Sequence, residues 1–374
     1  MHSLKQGFIK SDKVIWMHVA SLGEYEQGLP LLEQLKKEYP RHKFLLTFFS
    51  PSGYDVKKDS APVDVVSYLP LDTFHNAKRF LNAMPIELAI FIKYEIWPNY
   101  LYQLKKRAVP TILVSGIFSK RQAYFKWYGG LMRKALGAFT HFFVQENTSK
   151  RLLETLGHSN VSIGGDTRFD RVLEILKRDN TLKFMEAFKQ DRTCFVAGST
   201  WPEDEKLLVP FINAQKDLKV VIAPHDIKND HIERLQKSIV KKTIRYSELK
   251  NKDVGDHQVL VIDTIGLLTK IYSYADIAYV GGGFATGLHN TLEPAVFGIP
   301  VIIGPQYDDF NEAKAMVKQK GILVVNDLKG LKSEMNALMN DKSHARRTGS
   351  LNREYTQNQS GATARVMDFV EKLI

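Results

Sequence analysis

The chain has 374 residues, 44% of them hydrophobic and 25% charged, which excludes a disordered or fibrous protein and fits two folded domains of about 150–200 residues each. The formal net charge of +11 calls for an anionic partner: nucleic acid, a phosphorylated substrate or a negatively charged membrane leaflet. A lone cysteine, Cys194, in the apolar run TCFVAG excludes an internal disulfide and reads as a small buried hydrophobe in a reducing compartment, with no adjacent basic partner to activate it.

No apolar run approaches the roughly 18–20 residues needed to span a bilayer, and the opening MHSLKQGFIKSDK is too polar for a signal peptide. The chain is therefore expected to be soluble or peripheral. It opens almost directly on its first strand, which leaves room for an upstream segment outside this sequence.

Residues 13–20 (KVIWMHVA) predict a buried strand, and 24–39 a helix with Leu29, Leu32 and Leu35 on its apolar side. Between them lies Ser21-Leu22-Gly23-Glu24, a turn after a first strand, where open α/β sheets place ligands. Further strands are predicted at 43–49, 64–69, 86–92, 110–116, 140–145 and 160–165. After a charged helical stretch at 170–191, a second series follows at 193–198, 219–224, 242–246, 258–263, 276–282, 300–304 and 321–325. Such alternation implies parallel sheets with helices on both faces, an α/β chain of two Rossmann-like domains facing a cleft. The expected division is 1–178 and 179–360. The last segment, 361–374, has helical spacing at Val366, Phe369, Val370 and Leu373 and is expected to pack back on the first domain. By fold-level analogy, one large class of glycosyltransferases is built this way.

The densest motif is 275–305, ADIAYVGGGFATGLHNTLEPAVFGIPVIIGP. It reads as strand, glycine turn, helix and strand, with Gly281, Gly282, Gly283 and Gly287 placed to bring backbone N–H groups against a phosphate. Asn290 and Glu293, three residues apart, are expected on one face at the start of the next helix, where an amide and a carboxylate can hold ribose hydroxyls. Gly-rich strand-to-helix turns also occur for purely structural reasons.

Two carboxylates project from strand ends of the first half. Glu24 is either a helix-start residue favoured by the helix dipole or a general base. Glu95, in Lys93-Tyr94-Glu95-Ile96-Trp97-Pro98-Asn99, ends another strand of the same sheet and would orient an acceptor hydroxyl. In the second half Ser199 and Thr200 end a strand before a helix, as a cap or as anion ligands. His225 follows the strand KVVIAP, facing a ligand or solvent, and Arg168 in Asp166-Thr167-Arg168-Phe169-Asp170 is placed to reach a phosphate or a carboxylate. The acid-free stretch 120–134, carrying Lys120, Arg121, Lys126 and Trp127, is either a partly buried helix or a docking face for an anionic lipid surface. No HExxH, CxxC or DxD pattern is present, so a metal-independent mechanism with no cofactor is expected.

Taken in order, Ser21-Leu22-Gly23-Glu24, Glu95-Ile96-Trp97-Pro98-Asn99, Gly165 to Asp170, Ala197-Gly198-Ser199-Thr200 and Gly281 to Pro294 resemble the 3-deoxy-D-manno-octulosonic acid (Kdo) transferases of Gram-negative bacteria, over about 14–312. The resemblance implies a GT-B type glycosyltransferase of lipopolysaccharide synthesis. Such enzymes move Kdo from CMP-Kdo to a hydroxyl of the lipid A precursor, with inversion, at the cytoplasmic face of the inner membrane. It further implies Glu24 as general base, Glu95 as second acid, and Ser199, Thr200, Asn290 and Glu293 as CMP-binding positions with the glycines beside the phosphate. Three departures stand out: His225-Asp226 where the family has an Arg-His pair, Gly266-Leu267 in place of Gly-Glu, and Ile117 at a commonly basic position. Family members usually begin with a membrane-anchoring helix, which this sequence lacks.

Two other classes compete. One is another sugar-nucleotide enzyme of the same architecture, a UDP-sugar transferase or a UDP-N-acetylglucosamine 2-epimerase. The other is a non-catalytic anion-binding or membrane-binding protein. A nucleic-acid partner is not expected, since no helix-turn-helix or RNA-binding signature is present.

Overall fold

The computed structural model describes residues 7–249, 253–285 and 287–374. The chain divides into two compact units, Met1–Arg171 with Gln359–Ile374, and Val172–Asn358. The boundary thus falls inside the helix Thr167–Lys177, ahead of position 178.

The described residues of the first unit form one parallel sheet of seven strands: β1 (Val14–Val19), β2 (Lys43–Phe48), β3 (Val65–Tyr68), β4 (Ile86–Ile92), β5 (Thr111–Gly116), β6 (His141–Val144) and β7 (Val161–Ile163). Their spatial order is β3-β2-β1-β4-β5-β6-β7. The chain builds outward from β1 in one direction and then, from β4, in the other, so β1 and β4 flank the switch point. All six residues of β1 are buried because helices cover both faces. Alternation sends Trp16 into a cluster with Phe80, Phe91 and Tyr100, and sends Ile15, Met17 and Val19 to the opposite face with Leu29, Leu32 and Leu35. That second face is shared with Val366 and Val370 of the helix Ala362–Val370. Asp170 anchors this helix at its start: its carboxylate accepts from Gly361 N at 2.5 Å and from Thr363 N at 2.6 Å.

In the second unit the described strands are β8 (Cys194–Thr200), β9 (Lys219–Pro224), β10 (Thr243–Arg245), β11 (Val259–Val261), β12 (Ile277–Val280), β13 (Val301–Ile303) and β14 (Ile322–Val324). They too are all parallel, in the order β10-β11-β9-β8-β12-β13-β14, and the switch point lies between β8 and β12. Phe195, Ala197, Val220, Ile222 and Tyr279 face one core cluster with Phe211 of the helix Pro202–Ala214. Burial pushes the Cys194 thiol up to about 12, which leaves it a packed, protonated side chain.

Every strand expected from the sequence is a strand, within a residue or two at its ends. The stretch expected to be helical over 170–191 is two helices, Thr167–Lys177 and Lys183–Lys189. Among the described residues no helix is long and apolar enough to cross a membrane.

Candidate active site

In an open α/β sheet, ligands gather outside the carboxyl ends of the two strands at the switch point. In the first unit those ends carry Glu24, after β1, and Glu95, after β4. The helix Leu22–Glu38 begins two residues earlier than expected, so Glu24 stands in its first turn. Ser21 makes no side-chain cap bond; instead Glu24 Oε2 accepts from Ala20 N at 2.5 Å. The carboxylate is nonetheless not an ordinary cap. It is buried, and burial together with the neighbouring Glu95 charge raises its pKa to about 7, against the opposing pull of the Ala20 and Ser21 N–H groups and Lys93. A carboxylate that releases its proton near neutrality is matched to general-base work.

Glu95 Oε2 accepts from Trp97 Nε1 at 2.8 Å and lies 3.4 Å from His18 Nε2. Lys93, the first residue past β4, holds φ +68, a left-handed conformation for a residue with a side chain. The same unit carries Arg168. Its guanidinium pairs with Asp166 at 2.7 Å, and Asp166 also accepts from Gln27 Nε2 at 2.7 Å. The carboxylate that Arg168 reaches is therefore its own neighbour's, and this residue lies in the first unit while every other donor-site candidate belongs to the second.

Lys120, Arg121 and Trp127 are exposed, Trp127 at 92%, while Lys126 is half-buried. Tyr128 and Leu131 beside them are exposed as well. The stretch is not one helix: a 3₁₀ turn, Ala123–Phe125, precedes the helix Gly130–Leu136. Arg133 turns inward and holds this bend by donating to Lys126 O at 2.7 Å and Tyr124 O at 3.2 Å.

At the switch point of the second unit, β8 ends on Ser199 (φ +53) and Thr200. Thr200 is fully buried and its hydroxyl donates to Glu205 Oε1 at 3.0 Å, which His231 Nε2 contacts from the other side at 3.0 Å. The Thr200 side chain thus supports the strand end from beneath, and Ser199 is the partly exposed member of the pair.

Gly281 follows β12 and donates its N–H to Gly198 O at 2.9 Å. A Cβ there would stand 2.2 Å from Ser199 O, so the two strand ends meet only because the residue is glycine. Gly282 N donates to Asp204 Oδ2 at 2.9 Å, and Gly287 N donates to Gly282 O at 3.1 Å. This alters the expected mode of action of the motif. The N–H groups of Gly281, Gly282 and Gly287 are taken internally, so these glycines serve close approach and turning rather than donation to an anion. Gly283 packs against Gly304, whose Cα a Cβ on Gly283 would approach to 2.8 Å.

The short helix here is Leu292–Val296, so Asn290 precedes it instead of lying on its face. Asn290 and Glu293 still meet: Asn290 Nδ2 donates to Glu293 Oε1 at 3.2 Å, and Thr269 Oγ1 donates to Glu293 Oε2 at 2.8 Å. His225 is exposed to solvent, yet its ring is not isolated. Its ring stacks on Trp201 and on His289, with centroids 4.5 Å away in both cases. Trp201 Nε1 donates to His289 Nε2 at 2.8 Å, which places the His289 proton on Nδ1. Burial, aided by His225, lowers the His289 pKa to about 4 and keeps that ring neutral.

Residues 2–171 match the profile of the family described as 3-deoxy-D-manno-octulosonic-acid transferase (kdotransferase). The 3-deoxy-D-manno-octulosonic acid transferase of Aquifex aeolicus is 33% identical over 317 residues, covering 82% of this chain and 80% of that one. Its Haemophilus influenzae counterpart is 30% identical over 375 residues, covering 96% and 86%. The chain belongs to the Kdo transferase family. It is accordingly an enzyme, a glycosyltransferase. Solved structures carry the fold across nearly the whole chain. The UDP-GlcNAc 2-epimerase of Neisseria meningitidis matches with a TM-score of 0.69 at 14% identity, covering 96% of this chain and 100% of that one. The MurG of Acinetobacter baumannii matches with 0.61 at 12%, covering 96% and 99%. At such identities the likeness is one of fold, the GT-B type.

For a Kdo transferase, the first switch point sets Glu24 within electrostatic reach of Glu95, and in the second unit Ser199 meets the glycine turn, His225 stacks on His289, and Asn290 meets Glu293. Several residues around these sites escaped the sequence reading. Asp204 and Glu205 look like exposed first-turn acids but are buried, Asp204 completely. Trp201 and Thr269 carry no motif, and His18 sits unmarked inside an apolar strand.

Proposed function

We propose that this Kdo transferase moves Kdo from CMP-Kdo to a hydroxyl of the lipid A precursor with inversion at the anomeric carbon. The observation that carries the reading is Glu24, buried beside Glu95 at the first switch point with its pKa raised to about 7. Glu24 takes the proton of the acceptor hydroxyl as that oxygen attacks the anomeric carbon. The new C–O bond forms as the bond from that carbon to the phosphate oxygen breaks, and its electron pair leaves with CMP.

In the second unit Ser199, Asn290 and Glu293 contact the nucleotide, with Thr200 supporting Ser199 and the glycines admitting the phosphate to the ends of β8 and β12. His225 lends one edge of its ring stack. The helix Pro202–Ala214 starts at the β8 strand end, and the positive end of its dipole favours the departing phosphate. The chemistry needs no metal ion. Lys120, Arg121, Lys126 and the exposed Trp127 hold the anionic acceptor at the cytoplasmic face of the inner membrane, in keeping with the net charge of +11.

Turnover with CMP-Kdo generated in situ and purified lipid A precursor, in buffer containing EDTA and resolved by mass, tests the whole reading. One or more added Kdo units supports it. No transfer, together with thermal protection by UDP but not by CMP, would move the chain to UDP-sugar chemistry.

A further inference from the structure

We propose that Lys93 binds the carboxylate of the transferred sugar acid: its ammonium is the cation that the first switch point holds for the anion attached to the anomeric carbon. The inference rests on the Kdo-transfer reading of Glu24 and deepens it by naming a substrate contact.

The need for such a cation follows from the chemistry. Kdo is a 2-ulosonic acid, so its carboxylate is bonded directly to the anomeric carbon that the acceptor oxygen attacks. The base that takes the proton of that oxygen is itself an anion in its working form, with the Glu95 charge close by. A third carboxylate brought up to these two is repelled unless a positive charge receives it.

Lys93 stands where that charge is needed. It is the first residue past β4, one of the two strands at the switch point, and its N–H donates to Val114 O of β5 at 2.9 Å. The chain leaves the sheet there in a tight turn, in which Glu95 N closes back on Ile92 O at 3.4 Å and Lys93 holds φ +68. Glycine would adopt this conformation freely, whereas a residue with a side chain is strained in it. The turn thus keeps a lysine at a position where losing the side chain would relieve strain, the pattern of a residue retained for what it binds.

Lys93 is half-buried, and its Nζ lies over the Tyr94 ring, 4.8 Å from the centroid. That contact steadies a cation without neutralising it. Among the described residues Lys93 makes no ion pair, yet its charge reaches Glu24 and favours the ionised carboxylate there. Other cations of the first unit are spent: Arg168 on Asp166, and Arg171 and Lys57 on Glu26. Lys93 is therefore a cation within electrostatic reach of the base, with no protein carboxylate against it. The other charged and titratable groups around it are Glu24, Glu95, Tyr94, Tyr124 and His18.

The first test needs no turnover. With CMP saturating, free Kdo and its methyl ester are compared by ligand-observed NMR in the parent, Lys93→Met and Lys93→Gln. The parent should bind the acid about 10-fold or more tighter than the ester, and both neutral variants should erase that preference while keeping the parent's affinity for CMP. Equal binding of acid and ester by the parent, no binding included, or a preference that survives in both variants, would overturn the proposal whatever the enzyme does.

The second test is steady-state turnover at about pH 9, where Glu24 is ionised with or without Lys93. There Lys93→Met should raise the KM for CMP-Kdo about 10- to 100-fold and leave kcat and the KM for the lipid A precursor within about twofold, and Lys93→Arg should recover most of the loss. At about pH 6 the deficit should deepen, because without the Lys93 charge the Glu24 pKa rises and the acid limb of kcat/KM moves to higher pH. A deficit confined to the acid limb would reduce Lys93 to tuning Glu24, and a raised KM for the lipid A precursor alone would give it to an anionic group of the acceptor; either result overturns the proposal. If the parent transfers no Kdo while the acid is still preferred through Lys93, the transfer reading fails and the carboxylate site stands.

Discussion

Gly282 gives its backbone N–H to the Asp204 carboxylate at 2.9 Å, and the same carboxylate accepts from Tyr279 OH at 2.7 Å and Trp201 N at 2.9 Å. A fully buried acid on the helix after β8 thereby clamps the glycine turn after β12. The two sides of the second switch point are one hydrogen-bonded body.

Asp204→Ala should leave three buried donors unsatisfied and cost about 3 kcal/mol or more of stability, with nucleotide protection lost in parallel. Asp204→Asn should also be damaging, since its amide nitrogen would face an N–H or O–H. Urea unfolding with and without CMP reads both effects. Unchanged stability in either variant would show that the clamp is dispensable.

The glycines divide into two kinds. Gly281→Ala would bring a Cβ to within 2.2 Å of Ser199 O, a backbone atom that cannot yield, and should weaken CMP binding about tenfold or more. Gly287→Ala meets nothing nearer than the Phe310 ring at 3.9 Å, and should cost only the strain of φ +112, about 1–2 kcal/mol. Calorimetric titration of the pair with CMP distinguishes steric from conformational glycines.

Glu24 ties activity to pH and opposes stability. Because its folded pKa is raised from 4.5 to about 7, the contribution it makes to stability is present below 4.5 and lost as pH rises through 7. Well above pH 7 the ionised base costs about 3 kcal/mol. Glu24→Gln should therefore melt higher than the parent at pH 8, by a margin that vanishes near pH 4, while losing about 10²- to 10⁴-fold in kcat. The kcat/KM of the parent should fall below pH 7. Full activity in Glu24→Gln would remove it from the base role.

Glu293 receives Asn290 and Thr269 on its two oxygens, and in the proposed function it contacts the nucleotide. Glu293→Ala should raise the Kd for CMP about tenfold, and Glu24→Gln should leave it unchanged. Equal CMP affinity in Glu293→Ala and the parent would dissolve this division of labour.

The exposed Trp127 and its basic neighbours predict a vesicle-binding phenotype. On vesicles containing anionic lipid, Lys120→Ala and Arg121→Ala should each weaken association by about 1 kcal/mol, and Trp127→Ala should weaken it further. Indifference to lipid charge in co-sedimentation would leave the patch without this role.

Strands such as KVVIAP were legible because a sheet covered on both faces writes itself as an unbroken apolar run. The positions of Glu24, Glu95, Ser199 and the glycine turn were legible for a related reason: each follows a strand at a switch point, where topology alone puts it at one edge. What stayed hidden depends on partners far away in sequence. Nothing near Gly282 reveals that its N–H is spent on Asp204, and nothing in KVIWMHVA separates His18 from its apolar neighbours until β2 supplies Thr47. Asn290 was read onto a helix that starts only at Leu292, because a side chain capping the first turn has the same spacing as one inside it.

The helix Ala362–Val370 has a consequence for how the molecule is made. Its Val366 and Val370 complete a face of the first sheet whose other parts are translated before residue 171. During synthesis that face must wait, uncovered, while the whole second unit emerges from the ribosome and closes on its own contacts. A chain stopped short of Gly361 should therefore leave the first unit, and with it the Glu24 site, as the chaperone-dependent half of the protein.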